Sequence, residues 1–257
     1  MSHVLLAFVR WLLGAGIVLA ALPAWGQGAT PSLPTPWSAE LTPYLWATAL
    51  HGDLSAGGRS VTVDPSFSDL VKDLDFGAML LAEVRYDRWG LLLDGFYSKL
   101  SKDGDTSGAA FSKVEVTSQM GMIGPSLEYR ALRTERFTLD VLGGVRIWFV
   151  DTELDFKSGL LPGVDVDQSK TWVDPTIGFR LGANLTPRLS IQALGDVGGF
   201  GAGSDLTWQA FAGIRYQFNP RWSVTGGYRA LGVDFKRGGF ELDTILHGPV
   251  AGIGFRF

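Results

Sequence analysis

The chain of 257 residues contains no cysteine, which excludes a disulfide-bonded scaffold and a zinc site built on thiolates. Charged residues make up only 19% of the chain, below the roughly 25% that is typical of soluble domains. The net charge of −4 and the pI of about 5.4 argue against a nucleic-acid-binding protein. After Leu22 no apolar run approaches the roughly 18 residues that a membrane-spanning helix needs, which excludes a helical membrane protein.

The chain is rich instead in glycine and in aromatic side chains, with 34 Gly, 16 Phe and 9 Trp. Hydrophobic residues make up 46% of it, a content that excludes intrinsic disorder. This composition favours a β-rich protein whose many aromatic side chains face either a core or lipid.

Residues 1–26 are predicted to be a cleaved secretory signal peptide. Residues 1–10 carry one positive charge, and residues 11–22 are apolar and uncharged. Ala24 and Gly26 then place small side chains before a cleavage site, in the order that signal peptides show. A buried helix of a soluble protein is the alternative interpretation.

Residues 27–36 are predicted to be an extended periplasmic linker. Three prolines lie within this short stretch, and each fixes its own φ and disfavours helix at the residue before it. The folded domain is therefore expected to comprise residues 37–257.

Apolar and polar residues alternate along the mature chain. In residues 207–218 every second side chain from Trp208 to Phe218 is apolar, whereas the opposite row includes Arg215 and Gln217. Because successive side chains of a strand point to opposite faces, this pattern predicts a strand with one apolar face. The same pattern occurs in ten segments: residues 38–50, 74–88, 90–101, 112–130, 136–153, 172–186, 188–200, 205–219, 221–235 and 241–257.

The connections between these segments alternate in character. Most of those at one end are short, and most of those at the other are longer and rich in Gly, Asp and Lys: residues 51–73, 102–111, 154–171 and 235–240. This alternation and an even strand count are typical of a transmembrane barrel. The predicted fold is all-β, a closed antiparallel up-and-down transmembrane β-barrel of about ten strands, with eight or twelve as alternatives, short periplasmic turns and longer extracellular loops.

A secreted soluble barrel or β-sandwich would also alternate, with its apolar face turned inward. The face that carries glycine and charge decides between the membrane barrel and the soluble fold. In five strands a Gly-x-Arg motif places glycine and arginine on the same face, and acidic residues lie on that face too. A narrow lumen needs both features, because guanidinium groups require space and a buried charge requires a partner. The sequence predicts a lumen charge network of seven acids and six arginines: Glu40, Glu83, Arg85, Asp94, Glu128, Asp140, Arg146, Asp174, Arg180, Asp196, Arg215, Arg229 and Arg256.

The last seven residues, AGIGFRF, form an alternating segment that closes on Phe257. This end resembles the C-terminal signature of Gram-negative outer-membrane β-barrel proteins. Residues 37–46 (WSAELTPYLW) and 196–208 (DVGGFGAGSDLTW) are similar to segments of small proteobacterial barrels of the porin-like or outer-membrane-protein-A-like kind. The resemblance implies a place in the cell outer membrane, among its lipid and lipopolysaccharide. It also implies that the barrel-assembly machinery reads Phe257 as an assembly signal, and it brings no functional residues.

Candidates for catalysis are few. His51 follows the first strand and His247 lies in the last, and closing a barrel makes those strands neighbours, with Asp53 and Asp243 nearby. An acid–base or metal-binding pair is one interpretation. The expected one is two rim histidines without a catalytic role, so no catalytic, metal-binding or cofactor-binding residue is predicted.

Asp64–Leu74 departs from the period of two. Ser66 and Asp69 resemble a capping box, and four apolar residues follow helical spacing within residues 67–74. The pattern predicts a short amphipathic helix that covers apolar residues at the rim or, alternatively, plugs the mouth or recognises a ligand.

These observations predict an integral outer-membrane protein that is structural or forms a narrow pore for small polar solutes. We expect no enzymatic activity, no cofactor and no nucleic-acid partner. Two alternatives remain open at this stage: an enzyme acting on lipid or peptide at the extracellular rim, and an adhesin or receptor that binds a partner through its loops.

Overall fold

The structure is a computed structural model that describes residues 37–56, 59–63, 74–104, 111–158 and 164–257. No helix in these ranges is both long and apolar enough to cross a membrane.

Three predictions from the sequence fall outside the described residues and stay predictions. They are the signal peptide at residues 1–26, the linker at residues 27–36 and the helix predicted over residues 64–74, of which the structure describes only Leu74, as strand.

Strands make up most of the described residues, and each barrel strand overlaps one of the period-two segments. They are β1 (Trp37–Trp46), β2 (Ala49–Ala56), β3 (Arg59–Val63), β4 (Leu74–Tyr86), β5 (Trp89–Gly104), β6 (Phe111–Arg133), β7 (Phe137–Ser158), β8 (Val164–Asn184), β9 (Leu189–Gly199), β10 (Leu206–Gln217), β11 (Trp222–Arg237) and β12 (Phe240–Arg256).

Ten of these strands close a barrel. From β4 to β12 each strand pairs antiparallel with the next along the chain, and β1 pairs with both β4 and β12. β2 continues the line of β1 along β12, and β3 pairs with β2 in a short hairpin. The prediction of a closed antiparallel barrel of ten strands is thus confirmed.

The outer segments contain more strand than the sequence predicts. Residues 154–171 were expected to be loop, but β7 runs to Ser158 and β8 begins at Val164, with Phe156 opposite Val164. Apolar residues keep alternating in both segments, and each strand supplies the partner that lets the other continue.

The connection at residues 235–240 is also shorter than expected. It is a two-residue turn in which Gly238 and Gly239 have φ of 62° and 78°. Only glycine adopts such conformations without strain, and this pair fits the type I′ turn that joins tightly paired strands.

The outer surface of the barrel is apolar. Leu45 is 77% exposed and Leu91 is 63% exposed, and the outward rows of the other strands carry similar residues. Contiguous apolar surface on this scale is unfavourable in water, so this face meets lipid.

Exposed aromatic side chains lie at the end of the barrel that carries the short turns. Trp37 packs on Tyr86 with ring centroids 4.7 Å apart, and Trp89 packs on Tyr129 at 4.9 Å. Such belts mark the boundary between lipid and water.

The absence of cysteine allows a direct test of the orientation. Phe200 lies exposed in the loop after β9, and Glu135 lies exposed in the turn after β6. Short turns face the periplasm in these barrels. A membrane-impermeant maleimide is therefore expected to label Phe200→Cys on intact cells and Glu135→Cys only after lysis. The reverse pattern would invert the barrel.

Candidate functional site in the barrel lumen

Alternate residues of every barrel strand point into the lumen. Some inward positions must be glycine to leave room. A Cβ atom on Gly90 would lie 3.0 Å from a carboxylate oxygen of Glu128 and 3.3 Å from the guanidinium carbon of Arg85. On Gly178 a Cβ atom would lie 2.5 Å from Asp196. Gly90 therefore leaves space for an ion pair, and Gly178 lets two strands approach each other.

Two arginines and two glutamates interlock in the half of the lumen nearer the short turns. Arg85 donates from Nε to Glu83 over 2.9 Å and lies 2.5 Å from Glu128. Arg180 donates to the same two carboxylates, at 2.6 Å to Glu83 and 3.1 Å to Glu128. Each carboxylate thus compensates two guanidinium groups, and Glu128 is fully buried.

A third arginine completes this group. Arg130 donates to both carboxylate oxygens of Asp140, at 2.7 and 2.9 Å, and Arg85 lies 3.2 Å from the same carboxylate. The sequence analysis missed Arg130, although it lies two residues from Glu128 and thus in the inward row. We call this group the charged layer: Glu83, Arg85, Glu128, Arg130, Asp140 and Arg180.

Glu40 forms a smaller group of ion pairs beside the charged layer. Its carboxylate lies 2.6 Å from Arg215 and 3.1 Å from Arg256. Arg256 is the last residue of β12 and Glu40 lies on β1, so this group forms across the seam that closes the barrel.

Two further ion pairs lie near mid-lumen. Arg229 lies 2.5 Å from Asp94 and also donates to the Tyr44 hydroxyl over 2.7 Å. Arg146 lies 2.7 Å from Asp196 and donates to the Thr207 hydroxyl over 2.8 Å. Each buried guanidinium thus has both a carboxylate and a hydroxyl partner.

Asp174 lies inward as predicted but forms no ion pair within the described residues. It accepts hydrogen bonds from the backbone N–H of Ser204 over 2.5 Å, from the Ser204 hydroxyl over 2.7 Å, and from the Trp172 indole over 3.2 Å. Its role is therefore to hold the loop between β9 and β10 against the lumen wall.

Aromatic side chains fill the outer half of the lumen. Trp148 stacks on Trp172 with centroids 5.9 Å apart, and Trp172 stacks on Phe235 at 4.0 Å. Phe96 contacts both Trp148, at 6.4 Å, and Trp46, at 5.9 Å. We call these five residues the aromatic layer. The sequence analysis predicted a polar lumen and did not anticipate it.

The two layers are stacked along the barrel axis. From the turn end of β7 outward, the inward side chains include Asp140 in the charged layer, Arg146 near mid-lumen and Trp148 in the aromatic layer. Arg229 connects the mid-lumen ion pairs to the aromatic layer by a cation–π contact, because its guanidinium carbon lies 4.8 Å from the ring centroid of Trp46.

The indole N–H groups of Trp46 and Trp148 are buried without a hydrogen-bond partner among the described residues. Leaving a buried donor unpaired costs roughly 1–3 kcal/mol. The packing of the rings must offset this cost, so apolar contact holds Trp46 and Trp148 in place, whereas the Trp172 indole also donates hydrogen bonds to Asp174 and Ser204.

A cavity of about 130 Å³ lies at mid-lumen. At the roughly 30 Å³ that each water occupies in the liquid, it has room for about four water molecules. Its apolar lining includes Leu81, Leu142 and Phe211, and its polar lining includes Gln192 and Thr225. Ion-paired residues of the charged layer also line the cavity, and their charges are already compensated.

His247, one of the two histidines considered for catalysis, does not line the lumen. His247 lies in the outward row of β12, where its Nδ1 is 2.7 Å from the Tyr228 hydroxyl. The backbone of His51 pairs opposite Ile245, two residues away on β12. The described residues contain no group of three or more His, Asp or Glu that could hold a metal ion.

A closed ten-stranded barrel with an apolar exterior, an aromatic belt and a charged interior defines a class, and this protein is an outer-membrane β-barrel of the Gram-negative type. Sequence comparison finds no matching family model and no matching curated protein.

The chain is similar to several solved structures. The outer-membrane protease OmpT from Escherichia coli matches with a TM-score of 0.53 and 10% identity, over 89% of this chain and 99% of that one. The translocator domain of the autotransporter NalP from Neisseria meningitidis matches with a TM-score of 0.38 and 13% identity, over 98% and 97% of the two chains. The toluene transporter TbuX of Ralstonia pickettii matches with a TM-score of 0.34 and 10% identity, over 86% of this chain and 89% of that one. At these identities the likeness to OmpT shows the fold alone.

Proposed function

We propose that this barrel is a structural protein of the outer membrane whose lumen is closed to solutes at rest. The observation that supports the proposal is the stacking of two packed layers in one lumen. A solute would have to pass the aromatic layer and then the charged layer, of which Glu83 and Arg180 line the cavity.

The charged layer resists opening because its members share partners. Moving Arg180 away would leave both Glu83 and Glu128 less compensated, and moving Arg85 would do the same. Breaking a buried ion pair is far more costly than its formation is favourable. The layer therefore opens only if several ion pairs break together.

The aromatic layer is a barrier of a different kind. Trp148 has no exposed surface, and Met122 and Leu231 are buried beside it to nearly the same extent. Hydrophobic constrictions exclude water and with it hydrated ions. Polar solutes are thus excluded before they reach the charges.

Conductance tests this arrangement. The unaltered protein in planar bilayers is expected to show little or no conductance. Trp148→Ala with Trp172→Ala opens one layer, and Glu83→Ala with Arg180→Ala opens the other without changing the net charge. Each pair alone is expected to raise conductance slightly, because the second layer remains, whereas the fourfold variant is expected to show stepwise currents.

Outward Ile214→Ala with Ile253→Ala is the matched control and is expected to conduct no better than the unaltered barrel. The mobility difference between boiled and unboiled samples reports whether each variant is folded. Large stable channels from the unaltered protein would refute the closed lumen. A folded fourfold variant without conductance would show that the barrier lies elsewhere.

A receptor role at the outer rim is a second candidate, favoured by strand length. β6, β7 and β8 have 23, 22 and 21 residues, whereas a tilted strand crosses a bilayer in roughly 9–11. About half of each strand therefore projects as a wall on one side. Removing residues 154–166 is expected to leave assembly intact. If the shortened barrel nevertheless gives the same phenotype as deletion of the whole protein, the receptor role is favoured.

A further inference from the structure

Every turn at the end of the barrel opposite the aromatic layer carries exposed arginine. We call this set the arginine collar: Arg88, Arg133, Arg136, Arg188 and Arg221. Only two carboxylate side chains, Asp87 and Glu135, lie in the same turns. Within the described residues no collar guanidinium forms an ion pair, in contrast to the arginines of the lumen.

The choice of cation also differs between the two ends of the barrel. The six lysines within the described residues lie toward the other end: Lys99, Lys102, Lys113, Lys157, Lys170 and Lys236. Among the described residues at that end acidic side chains outnumber basic ones, whereas the turns of the collar contain arginine and no lysine. Guanidinium groups bind phosphate in a bidentate manner, which an ammonium group cannot do.

The depth of the collar is set by the aromatic belt. Arg88 directly precedes Trp89, and Arg221 directly precedes Trp222, both of which are exposed. Since Trp side chains sit at headgroup level, the adjoining guanidinium groups lie at the phosphates. The turns contain only two to four residues, so the collar stays flush with the bilayer and does not reach into the periplasm.

We propose that the arginine collar binds the phosphates of anionic phospholipids in the inner leaflet of the outer membrane. The collar has the charge, the donor geometry and the depth that such a headgroup requires. An acidic protein or the cell wall would need groups that project beyond the membrane surface. This inference is independent of whether the lumen is closed.

Lipid selection by the purified barrel tests the proposal. Folded protein in mixed micelles with equimolar phosphatidylglycerol and phosphatidylcholine is analysed by native mass spectrometry, and the ratio of the two lipids retained is measured. The unaltered barrel is expected to retain phosphatidylglycerol preferentially. In the fourfold variant Arg88→Gln, Arg136→Gln, Arg188→Gln and Arg221→Gln, the ratio of phosphatidylglycerol to phosphatidylcholine retained is expected to fall by about tenfold or more. Each basic residue near an anionic surface contributes to binding.

The matched control removes the same charge from the other end, with Lys102→Gln, Lys113→Gln, Lys157→Gln and Lys170→Gln. It is expected to retain the preference of the unaltered barrel. Equal retention of the two lipids by the unaltered protein would overturn the proposal, as would an equal loss in the control. Co-sedimentation with purified sacculi tests whether the collar binds the cell wall instead. A collar variant that lost sacculus binding and kept its lipid preference would assign the collar to the cell wall and overturn the inference.

Discussion

Replacing Glu128 with alanine is expected to destabilise the barrel by about 3–5 kcal/mol. Glu128 is fully buried and lies within 3.1 Å of both Arg85 and Arg180, so its loss leaves two buried guanidinium groups undercompensated. The measurement is the urea midpoint of unfolding in lipid vesicles, followed by the loss of the fast-migrating band in unboiled samples.

Two control variants accompany this prediction, one at the same position and one at an exposed carboxylate. Glu128→Gln keeps the size of the side chain and removes its charge, so most of the destabilisation is expected to remain. Glu135→Ala removes an exposed carboxylate from a turn, and its effect is expected to stay within about 0.5 kcal/mol. An unchanged midpoint for Glu128→Ala would show that lumen water compensates Arg85 and Arg180.

Trp148→Ala is expected to cost a similar amount, about 3–5 kcal/mol, for a different reason. The side chain has no exposed surface and is packed between Phe96 and Trp172, so its removal leaves a cavity in the middle of the aromatic layer. The same midpoint measures it, and salt should not change the loss because no charge is involved.

Trp148→Phe distinguishes ring packing from the indole N–H group. The substitution replaces the indole with a smaller ring, which loses packing contacts. It also removes a buried N–H donor that has no partner, which stabilises the barrel, so the two effects oppose each other. A loss much smaller than that of Trp148→Ala is expected. A loss of equal size would mean that the N–H group finds a partner in the folded barrel.

The fold could be predicted from the sequence because a strand in a barrel wall has two different solvents on its two faces. Lipid outside demands apolar side chains, and a narrow lumen accepts polar ones, so the alternation is strong. β10 occupies Leu206–Gln217 where the sequence analysis expected residues 205–219, whereas β8 begins at Val164 where a start at residue 172 was expected.

The division of the lumen could not be predicted in the same way. Trp148 and Trp172 lie in the same inward rows as Arg146 and Asp174, and alternation identifies the row but not the contacts across the lumen. Those contacts depend on stagger between strands distant in sequence. The Arg180–Glu83 pair spans 97 residues.

The seam between β1 and β12 determines when the lumen charges lose their water. Glu40 on β1 meets Arg256 on β12 across 216 residues of sequence, and Tyr44 meets Arg229 across 185. Contacts of such long range form late, because the chain must first lose the entropy of a large loop. Until the seam closes, these groups face each other across an open sheet and need hydration. The barrel is therefore expected to assemble with a wet interior, and the final strand pairing is the step that dries it.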